Sequence, residues 1–449
     1  MKILQYTLGL PPYRRGGLPQ YSTDLSEELT KQGEDVTVLY PGKMRLKDSS
    51  KLQFKPKKSD YSFKVVEMMN PLPVSLGLGI NEAKPYFGKR DKRDIENFLT
   101  TLAPDVIHLH TLMGLPLEFL EIAHEHNIKI VYTTHDFYGL CPKMLEPNPK
   151  DLLQSRECSY DCMLCKDGPS LNKIKVMQSH FYEKMKNTSL MKKIRQNQKK
   201  SISVVDISSK ELGTVSQAEA YDRYLLRKYY LKMFNLIDKF HFNSNVSADY
   251  IRNFLPSAPG KVISITHKGL QDNRKNNNHK FNKDKIRFTY IGPYDQKKGF
   301  YLLGDVFKEL SKNYSNFEVN FYGDILEQPI FKESWAINHG IIPKEKMNDV
   351  YKNTDVLIQP SLWHETFGFT ILEALSQGTP CIVSNNVGAK DLLPTSWIFR
   401  NKSELIDKLI SIISDSSSLN NMQKEVNQLF LQNKFNNHVS KVIAEVYKS

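Results

Sequence analysis

The sequence has no long apolar run, and this absence argues against a transmembrane helix. No stretch approaches the roughly 20 apolar residues that a transmembrane helix needs. The first six residues, Met-Lys-Ile-Leu-Gln-Tyr, lack the apolar core of a secretory signal peptide. Both absences predict a cytoplasmic protein.

Cysteine is also scarce, with 5 residues in 449, which excludes a disulfide-stapled secreted domain. Cys141, Cys158, Cys162 and Cys165 fall in one proline-containing segment, and the last three are separated by three and then two residues. Four thiolates at such spacing could hold a structural zinc ion. Unconnected thiols are the alternative.

Acidic residues are outnumbered, 49 against 62 lysines and arginines, and the net charge is +13. A basic surface attracts nucleic acid, an anionic substrate or an anionic membrane, and charge alone does not choose among them. The basic stretches lack the interleaved aromatic residues of a recognisable RNA-binding or DNA-binding motif. Nucleic acid is therefore not an expected partner.

One basic stretch, residues 171–200, has nine lysines or arginines against one acid. Ile174, Met177, Phe181 and Met185 recur there at roughly helical spacing. This pattern is typical of a helix that lies on an anionic membrane surface, where a lipid-linked glycan would be presented. A surface helix whose apolar stripe packs on its own domain has the same pattern.

A chain of this length is too long for one ordinary core and predicts two domains. Short apolar strands alternate with helical stretches in both halves, which predicts two Rossmann-like, doubly wound parallel sheets. We place the domains at 1–260 and 261–430. The predicted strands are 2–8, 35–40, 105–109, 128–133, 261–266, 286–291, 317–322, 355–359 and 380–384.

The stretch 356–384 is the most informative about function. It reads as an apolar strand, a polar loop, a helix that opens near Phe369 and ends before Gly378, and a second strand. Glu365 lies on the loop and Glu373 in the early helix. Ligands often bind where helices start at the carboxyl ends of parallel strands. Two acids at such a place could bind sugar hydroxyls. Alternatively, the two glutamates only complement the helix dipole.

The stretch 360–375 resembles the retaining glycosyltransferases of family 4, in which two glutamates with seven residues between them stand in a Pro-Ser, Phe-Gly, Glu-Ala-Leu frame. The resemblance implies the GT-B fold, in which two Rossmann-like domains face each other across a crevice. It implies that Glu365 contacts the donor sugar, Glu373 holds the nucleotide ribose, and the amides around Phe367 and Gly368 face the sugar or phosphate. The final residues, 431–449, would cross back to the first domain.

In the first half, Gly16 and Gly17 follow the first strand, where paired glycines let backbone amides approach a bound phosphate or sugar. In the resembled family this loop lies beside the donor phosphates and the acceptor. His135 follows the fourth strand in a Thr-Thr-His-Asp-Phe motif similar to one whose histidine lies near the reacting sugar. Without that resemblance, a packed histidine is the simpler interpretation.

In the second half, Gly292 ends a strand and Lys298 follows in the turn, where a compact ammonium suits a diphosphate. The resembled family usually has an arginine directly after this glycine, but this sequence has Pro293. Lys298 is then the chief expected cation. Ile341 lies in a His-Gly-Ile-Ile-Pro loop similar to one that packs its backbone against the nucleobase.

No metal-binding Asp-x-Asp occurs in these segments, so we expect catalysis without a metal or other cofactor. The resemblance implies transfer of a sugar from a UDP-sugar or GDP-sugar to a glycan or lipid-linked glycan acceptor, in bacterial surface polysaccharide or glycolipid synthesis. The protein would be cytoplasmic or peripheral on the inner face of the plasma membrane. A sugar-phosphate synthase, a nucleotide-sugar epimerase and an inactive glycan-binding or scaffold module of the same fold are the alternatives.

Overall fold

The computed structural model describes residues 1–14, 16–45, 50–76, 79–140, 168–179, 182, 185, 188, 216–275, 285–415, 417–432 and 434–449. The chain divides into two compact units. Unit 1 consists of Met1–Asn243, Ala248–Ile263 and Asn436–Ser449, and unit 2 consists of Ser244–Ser247 and Ser264–Phe435.

Unit 1 is built on an eight-stranded sheet in the order β3-β4-β2-β1-β5-β6-β7-β8. Only the pairing of β3 with β4 is antiparallel. The central strands are almost fully buried, as expected for a parallel sheet that helices cover on both faces. The strands are β1 (Lys2–Tyr6), β2 (Asp35–Pro41), β3 (Gln53–Lys57), β4 (Lys64–Met69), β5 (Val106–Leu109), β6 (Lys129–Thr133), β7 (Lys239–Phe242) and β8 (Gly260–Val262).

Unit 2 is built on a six-stranded sheet, entirely parallel, in the order β11-β10-β9-β12-β13-β14. The strand order reverses between β9 and β12, which are neighbours in the sheet although two strands separate them in the chain. The strands are β9 (Ile286–Ile291), β10 (Phe317–Tyr322), β11 (Ala336–Gly340), β12 (Val356–Gln359), β13 (Cys381–Ser384) and β14 (Ile398–Phe399).

Helices connect the parallel strands, and several begin at a capping side chain. Ser216 and Glu219 form a reciprocal capping box at the start of the fifth helix, which satisfies two backbone amides there. The α-helices are α1 (Gly17–Lys31), α2 (Lys92–Leu102), α3 (Leu117–Glu125), α4 (Leu171–Met177), α5 (Gln217–Asn235), α6 (Asn245–Phe254), α7 (Phe300–Leu310), α8 (Met347–Lys352), α9 (Phe369–Ser376), α10 (Lys402–Ser414), α11 (Ser417–Gln428) and α12 (Phe435–Val442).

The fold class predicted from the sequence is confirmed: each unit is a doubly wound parallel α/β sheet. The strand predicted at 261–266 is wrong in extent and in placement. Strand β8 ends at Val262, and its residues pair with Phe240, His241 and Phe242 of β7, so it is the last strand of the first sheet.

The last residues of the chain, Asn436–Ser449, are part of unit 1. The hydroxyl of Tyr447 lies 2.7 Å from Nδ1 of His108 and accepts a hydrogen bond from Gln5 Nε2 at 3.1 Å. The Tyr447 ring is 3% exposed. This segment therefore completes the core that β1 and β5 begin.

Candidate active site

The candidate site lies where the strand order of the unit 2 sheet reverses. Strand β9 ends at Ile291 and the adjacent strand β12 ends at Gln359, so their following loops leave the same edge of the sheet. In open parallel sheets, the helical connections on either side of such a switch point separate and leave a crevice for a ligand. The loops 292–299 and 360–368 border this position.

Backbone contacts hold these two loops together. The amides of Leu362 and Trp363 both donate to the carbonyl oxygen of Lys297, at 2.8 and 3.2 Å. Gly299 has φ +75°, and a Cβ there would overlap the carbonyl oxygen of Pro360. Only glycine permits this close approach of the two loops. Because Lys298 precedes Gly299, its side chain is brought to the loop 360–368.

Glu365 is 7% exposed and receives four side-chain donors on one oxygen. The Lys298 ammonium forms an ion pair with its Oε1. The hydroxyl of Ser361 donates to the same oxygen at 2.7 Å, Gln359 Nε2 at 3.1 Å and Trp363 Nε1 at 3.4 Å. No described residue donates to Oε2, which leaves this oxygen as an acceptor for a ligand hydroxyl.

The charge state of Glu365 follows from two opposing effects. Burial alone would raise the pKa of this carboxyl group. The positive charge of Lys298 and the hydrogen bonds from Lys298, Ser361 and Trp363 outweigh burial, so the pKa lies below its ordinary value. Glu365 is thus an anion at neutral pH.

The backbone around Glu365 is anchored to the next strand's loop. The Glu365 amide donates to the carbonyl of Asn386 at 2.8 Å, and its carbonyl accepts from the amide of Gly388 at 2.9 Å. The carbonyl of Phe367 accepts from Ala389 in the same way, at 2.8 Å. The loop therefore forms a fixed platform for the carboxylate rather than a free turn.

Helix α9 starts directly after Gly368, whose φ is +114°. A Cβ at Gly368 would lie 3.4 Å from Oε2 of Glu365, so the free carboxylate oxygen lies beside the start of the helix. The first turn of α9 contains no acidic residue. Its first amides and the positive end of its dipole are consequently available to an anion.

Glu373 lies in the second turn of α9, too far along to complement the dipole of its first turn. The hydroxyl of Tyr351 donates to its Oε2 at 2.7 Å. Nε2 of His267 lies 3.3 Å from its Oε1, within ion-pair distance but without the geometry of a hydrogen bond. Burial, followed by the charge of Glu373, raises the pKa of Tyr351, which keeps the phenol protonated as the donor.

The other two predicted residues of this half lie further along the same edge. The amide of Gly292 donates to the carbonyl of Tyr322 at the end of β10. A Cβ at Gly292 would contact the hydroxyl of Tyr290 at 3.0 Å. Ile341 follows edge strand β11 and is 63% exposed, and its contact with the nucleobase stays a prediction.

In unit 1, Gly16 caps α1 with φ +132°, and Gly17 is the first residue of that helix. His135 follows β6, where its Nε2 lies 3.2 Å from Nδ1 of His110 and its ring packs at 4.9 Å from that of Tyr21. Burial, with a smaller contribution from His241, lowers the pKa of His135 to about 3. The imidazole is thus neutral at physiological pH.

Half-buried His135 lies beside a group of fully buried histidines in unit 1, which are His108, His110, His241 and His438. Thr133 Oγ1 lies 2.6 Å from His108 Nε2 and 2.9 Å from His241 Nδ1. The hydroxyl of Tyr21 lies 2.7 Å from Nε2 of His438. The sequence motif pointed only to His135, although His108 and His110 stand two positions apart at the end of β5 and belong to the same network.

Two sequence profiles match the chain. The profile of the family described as Glycosyltransferase Family 4 matches residues 15–158, and that described as Glycosyl transferases group 1 matches residues 271–428. The chain belongs to glycosyltransferase family 4. The frame around Glu365 and Glu373 lies inside the second match.

Two proteins from Klebsiella pneumoniae are similar in sequence to this family 4 glycosyltransferase, and both are described as uncharacterized proteins in the cps region. The 41.2 kDa protein is 25% identical over 220 residues, which are 47% of this chain and 59% of that protein. The match thus spans about three fifths of that relative. The 42.6 kDa protein is 21% identical over 387 residues, covering 84% of this chain and 83% of that protein.

Among solved structures, the glycosyltransferase resembles Anabaena HepE in complex with UDP and glucose. The TM-score is 0.51 at 15% sequence identity, and the alignment covers 99% of this chain and 100% of HepE. A likeness at this identity concerns the fold, which is GT-B.

Residues 359–363 of this glycosyltransferase provide three hydrogen-bond donors to Glu365 that were not predicted from the sequence. Gln359, Ser361 and Trp363 all donate to Glu365. Ser361 belongs to the quoted Pro-Ser frame, so its role had a sequence signal. His267 and Tyr351 at Glu373 had none, since they come from separate elements of the chain.

The predicted zinc ligands Cys141, Cys158, Cys162 and Cys165 lie outside the described residues. Within the described residues, no group of three or more His, Cys, Asp or Glu side chains could hold a metal ion. Of the basic stretch 171–200, the structure describes α4, in which Ile174 is 1% exposed, together with Met185 and a few flanking positions. Among the described helices, none is both long and apolar enough to cross a bilayer.

Proposed function

We propose that the protein transfers a sugar from a nucleoside diphosphate sugar to a hydroxyl of a glycan or lipid-linked glycan acceptor, with retention at the anomeric carbon. The observation that carries the proposal is the pairing of Lys298 with Glu365 at the switch point of the unit 2 sheet. The pair places a cation for a diphosphate next to an anion for a sugar.

Lys298 and the start of α9 supply the positive potential for the donor diphosphate. A lysine ammonium is a compact charge that binds phosphate without a strict bidentate geometry. The first amides of α9 add hydrogen-bond donors and the positive end of the helix dipole. With these two sources, the proposed reaction uses no divalent metal ion.

Glu365 then binds and orients the donor sugar. Its Oε2 accepts a sugar hydroxyl, and its negative charge stabilises the positive charge that develops at the anomeric carbon in the transition state. When the diphosphate draws the Lys298 ammonium toward itself, Oε1 keeps the donors Ser361 and Gln359. The carboxylate therefore remains oriented while its counter-ion moves.

In the proposed step, the bond between the anomeric carbon and the phosphate oxygen breaks as the acceptor oxygen bonds to the same carbon. The acceptor proton passes to the departing phosphate oxygen, which acts as the base because it becomes negatively charged as its bond to the carbon breaks. Attack from the face that the phosphate leaves gives retention. Lys298 stabilises part of the negative charge of the departing nucleoside diphosphate.

Glu373 provides the nucleoside contact in this proposal. Two ribose hydroxyls are suitable donors to its carboxylate, which Tyr351 orients from the other side. The UDP held by the HepE structure supports a uridine diphosphate donor, with GDP as the second candidate. The cps region of the two Klebsiella relatives supports a role in surface polysaccharide synthesis, on the cytoplasmic side or at the inner membrane face.

Thermal stabilisation by a panel of UDP-, GDP-, ADP- and dTDP-sugars tests the proposal, because a ligand bound only by the folded state raises its stability. One donor should raise the unfolding temperature of the protein and of Lys312→Ala, an exposed-lysine control at the far end of α7, but not of Lys298→Ala. If folded protein responds to no donor, the chain is an inactive binding module instead. Product formed without an acceptor would indicate an epimerase.

A further inference from the structure

Unit 1 contains a cavity of about 370 Å³ at the carboxyl ends of β1 and β2, away from the histidine network. The loop after β1, the end of β2, the end of β3 and the segment after α4 form its walls. A cavity of this size lies within the range of small-molecule sites. Gln178 closes one wall, since its Nε2 donates to the carbonyl of Gly42 at 3.3 Å and its Oε1 accepts from the amide of Val74 at 3.0 Å.

The charged residues that line the cavity are predominantly basic. Arg14, Lys43, Lys57 and Lys58 line it, against one acid, Glu67. Glu67 is 4% exposed and already forms an ion pair with Lys57 at 3.0 Å. With four basic residues against one acid, the described lining carries a net positive charge, which attracts a small anion.

Arg14 is the most informative of these cations. Its side chain is half-buried and forms no ion pair with a described acid. Its stem packs over Gly9, where a Cβ would lie 2.6 Å from Arg14 Cγ, and Gly9 has φ +133°. Burial lowers the pKa of this guanidinium, with a smaller opposing effect from Tyr182. A partly desolvated guanidinium favours an anion as its hydrogen-bond partner.

Aromatic rings accompany the charges. Tyr13, Tyr40, Tyr61 and Tyr182 line the same cavity, and Tyr13 is 62% exposed. The hydroxyl of Tyr61 donates to the carbonyl of Pro11 at 2.8 Å, which fixes the loop that carries Tyr13 and Arg14. A tyrosine can pack its ring on an apolar face of a ligand and donate a hydrogen bond from its hydroxyl. A sugar ring has both an apolar C–H face and hydroxyl groups.

We propose that this cavity binds an anionic sugar of the acceptor, a hexose that carries a phosphate or a carboxylate group. The inference rests on the proposed glycosyl transfer and specifies its acceptor. Arg14 binds the anionic group through its planar fork, which matches both phosphate and carboxylate. Lys43 and Lys58 add point charges, and the tyrosines contact the ring.

The test measures binding of glucose 6-phosphate, glucuronate, glucose and inorganic phosphate to the full chain in the presence of saturating UDP, which blocks the donor site. At least one anionic sugar should bind ten-fold or more tightly than both glucose and phosphate. Arg14→Gln and Lys58→Gln should each weaken that binding, Arg14→Gln by about ten-fold or more. Lys89→Gln, which removes an exposed lysine outside the cavity, should not.

The two anionic probes separate the sources of charge: preference for glucose 6-phosphate indicates a phosphorylated acceptor, and preference for glucuronate indicates an acidic sugar. If glucose binds as tightly as either anionic sugar, the inference is wrong. If inorganic phosphate binds as tightly as glucose 6-phosphate, the inference is also wrong. Lys58 is exposed, so Lys58→Gln remains informative even if Arg14→Gln fails to fold.

Failure of this inference is distinguishable from failure of the proposed function. UDP binding that depends on Lys298 tests unit 2, whereas sugar-phosphate binding that depends on Arg14 tests unit 1. If UDP binds and Lys298→Ala abolishes its binding while no anionic sugar binds, only the acceptor inference falls. If UDP does not bind at all, the donor proposal falls, and the same sugar titration without UDP still decides the cavity.

Discussion

The ammonium of Lys298 hydrogen-bonds to Oε1 of Glu365, although the two residues are 67 positions apart in the chain. Lys298 comes from the loop after β9 and Glu365 from the loop after β12. The pair thus joins the two loops that border the switch point. Each partner neutralises the other, so binding of a donor must exchange one ion pair for two new interactions.

This exchange predicts opposite effects of Glu365→Gln on binding and on catalysis. The amide keeps the shape of the side chain but releases Lys298 for the diphosphate, so UDP affinity should be unchanged or higher. The turnover number should fall by about 100-fold or more, as when an electrostatic stabiliser of a transition state is removed. Isothermal titration with UDP and initial rates with the donor identified above measure the two effects.

The control for this prediction is Glu345→Gln, which removes an exposed acid from the same unit and should change neither quantity. A Glu365→Gln variant with normal turnover would remove Glu365 from the catalytic machinery. UDP affinity that falls with Glu365→Gln would contradict the competition between the carboxylate and the diphosphate for Lys298.

The proposed roles of Glu373 and Lys298 predict different ligand specificity in their variants. Glu373→Ala should weaken UDP about ten-fold or more, because it removes the acceptor for the ribose, and should leave binding of inorganic diphosphate unchanged. Lys298→Ala should weaken both ligands. Tyr351→Phe, which removes only the hydroxyl that orients Glu373, should weaken UDP less than Glu373→Ala. Equal losses for both ligands in Glu373→Ala would place this residue at the phosphates.

The close approach of Gly299 to Pro360 predicts a loss of stability on substitution. Gly299→Ala forces a Cβ into the Pro360 carbonyl, in addition to the cost of about 1–2 kcal/mol for a left-handed conformation. Gly340→Ala is a matched control, since its φ is +68° and the nearest atom to its Cβ would be 3.8 Å away. Urea titrations should show a larger decrease in the free energy of unfolding for Gly299→Ala, together with weaker UDP binding. Equal decreases in the two variants would show that the clash is relieved without cost.

The buried histidines predict that unit 1 loses stability in acid. Burial, the largest cause, lowers the pKa of His135 to about 3 and that of His241 to about 4, whereas unfolded histidine titrates near 6.5. Below that value the unfolded chain binds more protons, so stability decreases as the pH falls from about 7 toward 4. Each such histidine should cost on the order of 1 to 2 kcal/mol by pH 5.

His438→Gln tests this, because glutamine can keep the contact with Tyr21 but cannot be protonated. The decrease in unfolding free energy between pH 7 and pH 5 should become smaller, by up to about 1.4 kcal/mol per pH unit. His124→Gln, at an exposed position of α3, should leave the slope unchanged. If His438→Gln has the slope of the unaltered protein, His438 is not one of the titrating groups.

Local pattern was sufficient for the strands that form the centre of the second sheet. Ile286–Ile291 and Phe317–Tyr322 were predicted with the bounds that the structure has, because each is rich in aromatic and aliphatic residues and is flanked by polar turns. Strand β8 was misplaced because the apolar run continues to Ile265 after the backbone has left the sheet. The edge strand β3 has four exposed residues out of five, so periodicity gave no signal for it.

Local motifs predicted individual residues of the candidate site but not which of them pair. Glu365, Phe367, Gly368 and Glu373 came from a single frame, and resemblance to the family assigned their roles. The pairing of Lys298 with Glu365 depends on which strands are neighbours in the sheet, and the histidine network joins β5, β6, β7 and α12. Contacts between such distant parts of the chain follow from tertiary packing and leave no local pattern.

The burial of Tyr447 against His108 and Gln5 also determines when unit 1 can finish folding. Domains generally fold in order of synthesis, the first while the ribosome is still translating the rest. Here the sheet that begins with β1 lacks part of its core until residues 436–449 have been translated. On the ribosome, unit 2 therefore has all of its residues before unit 1 does, although unit 1 begins the chain.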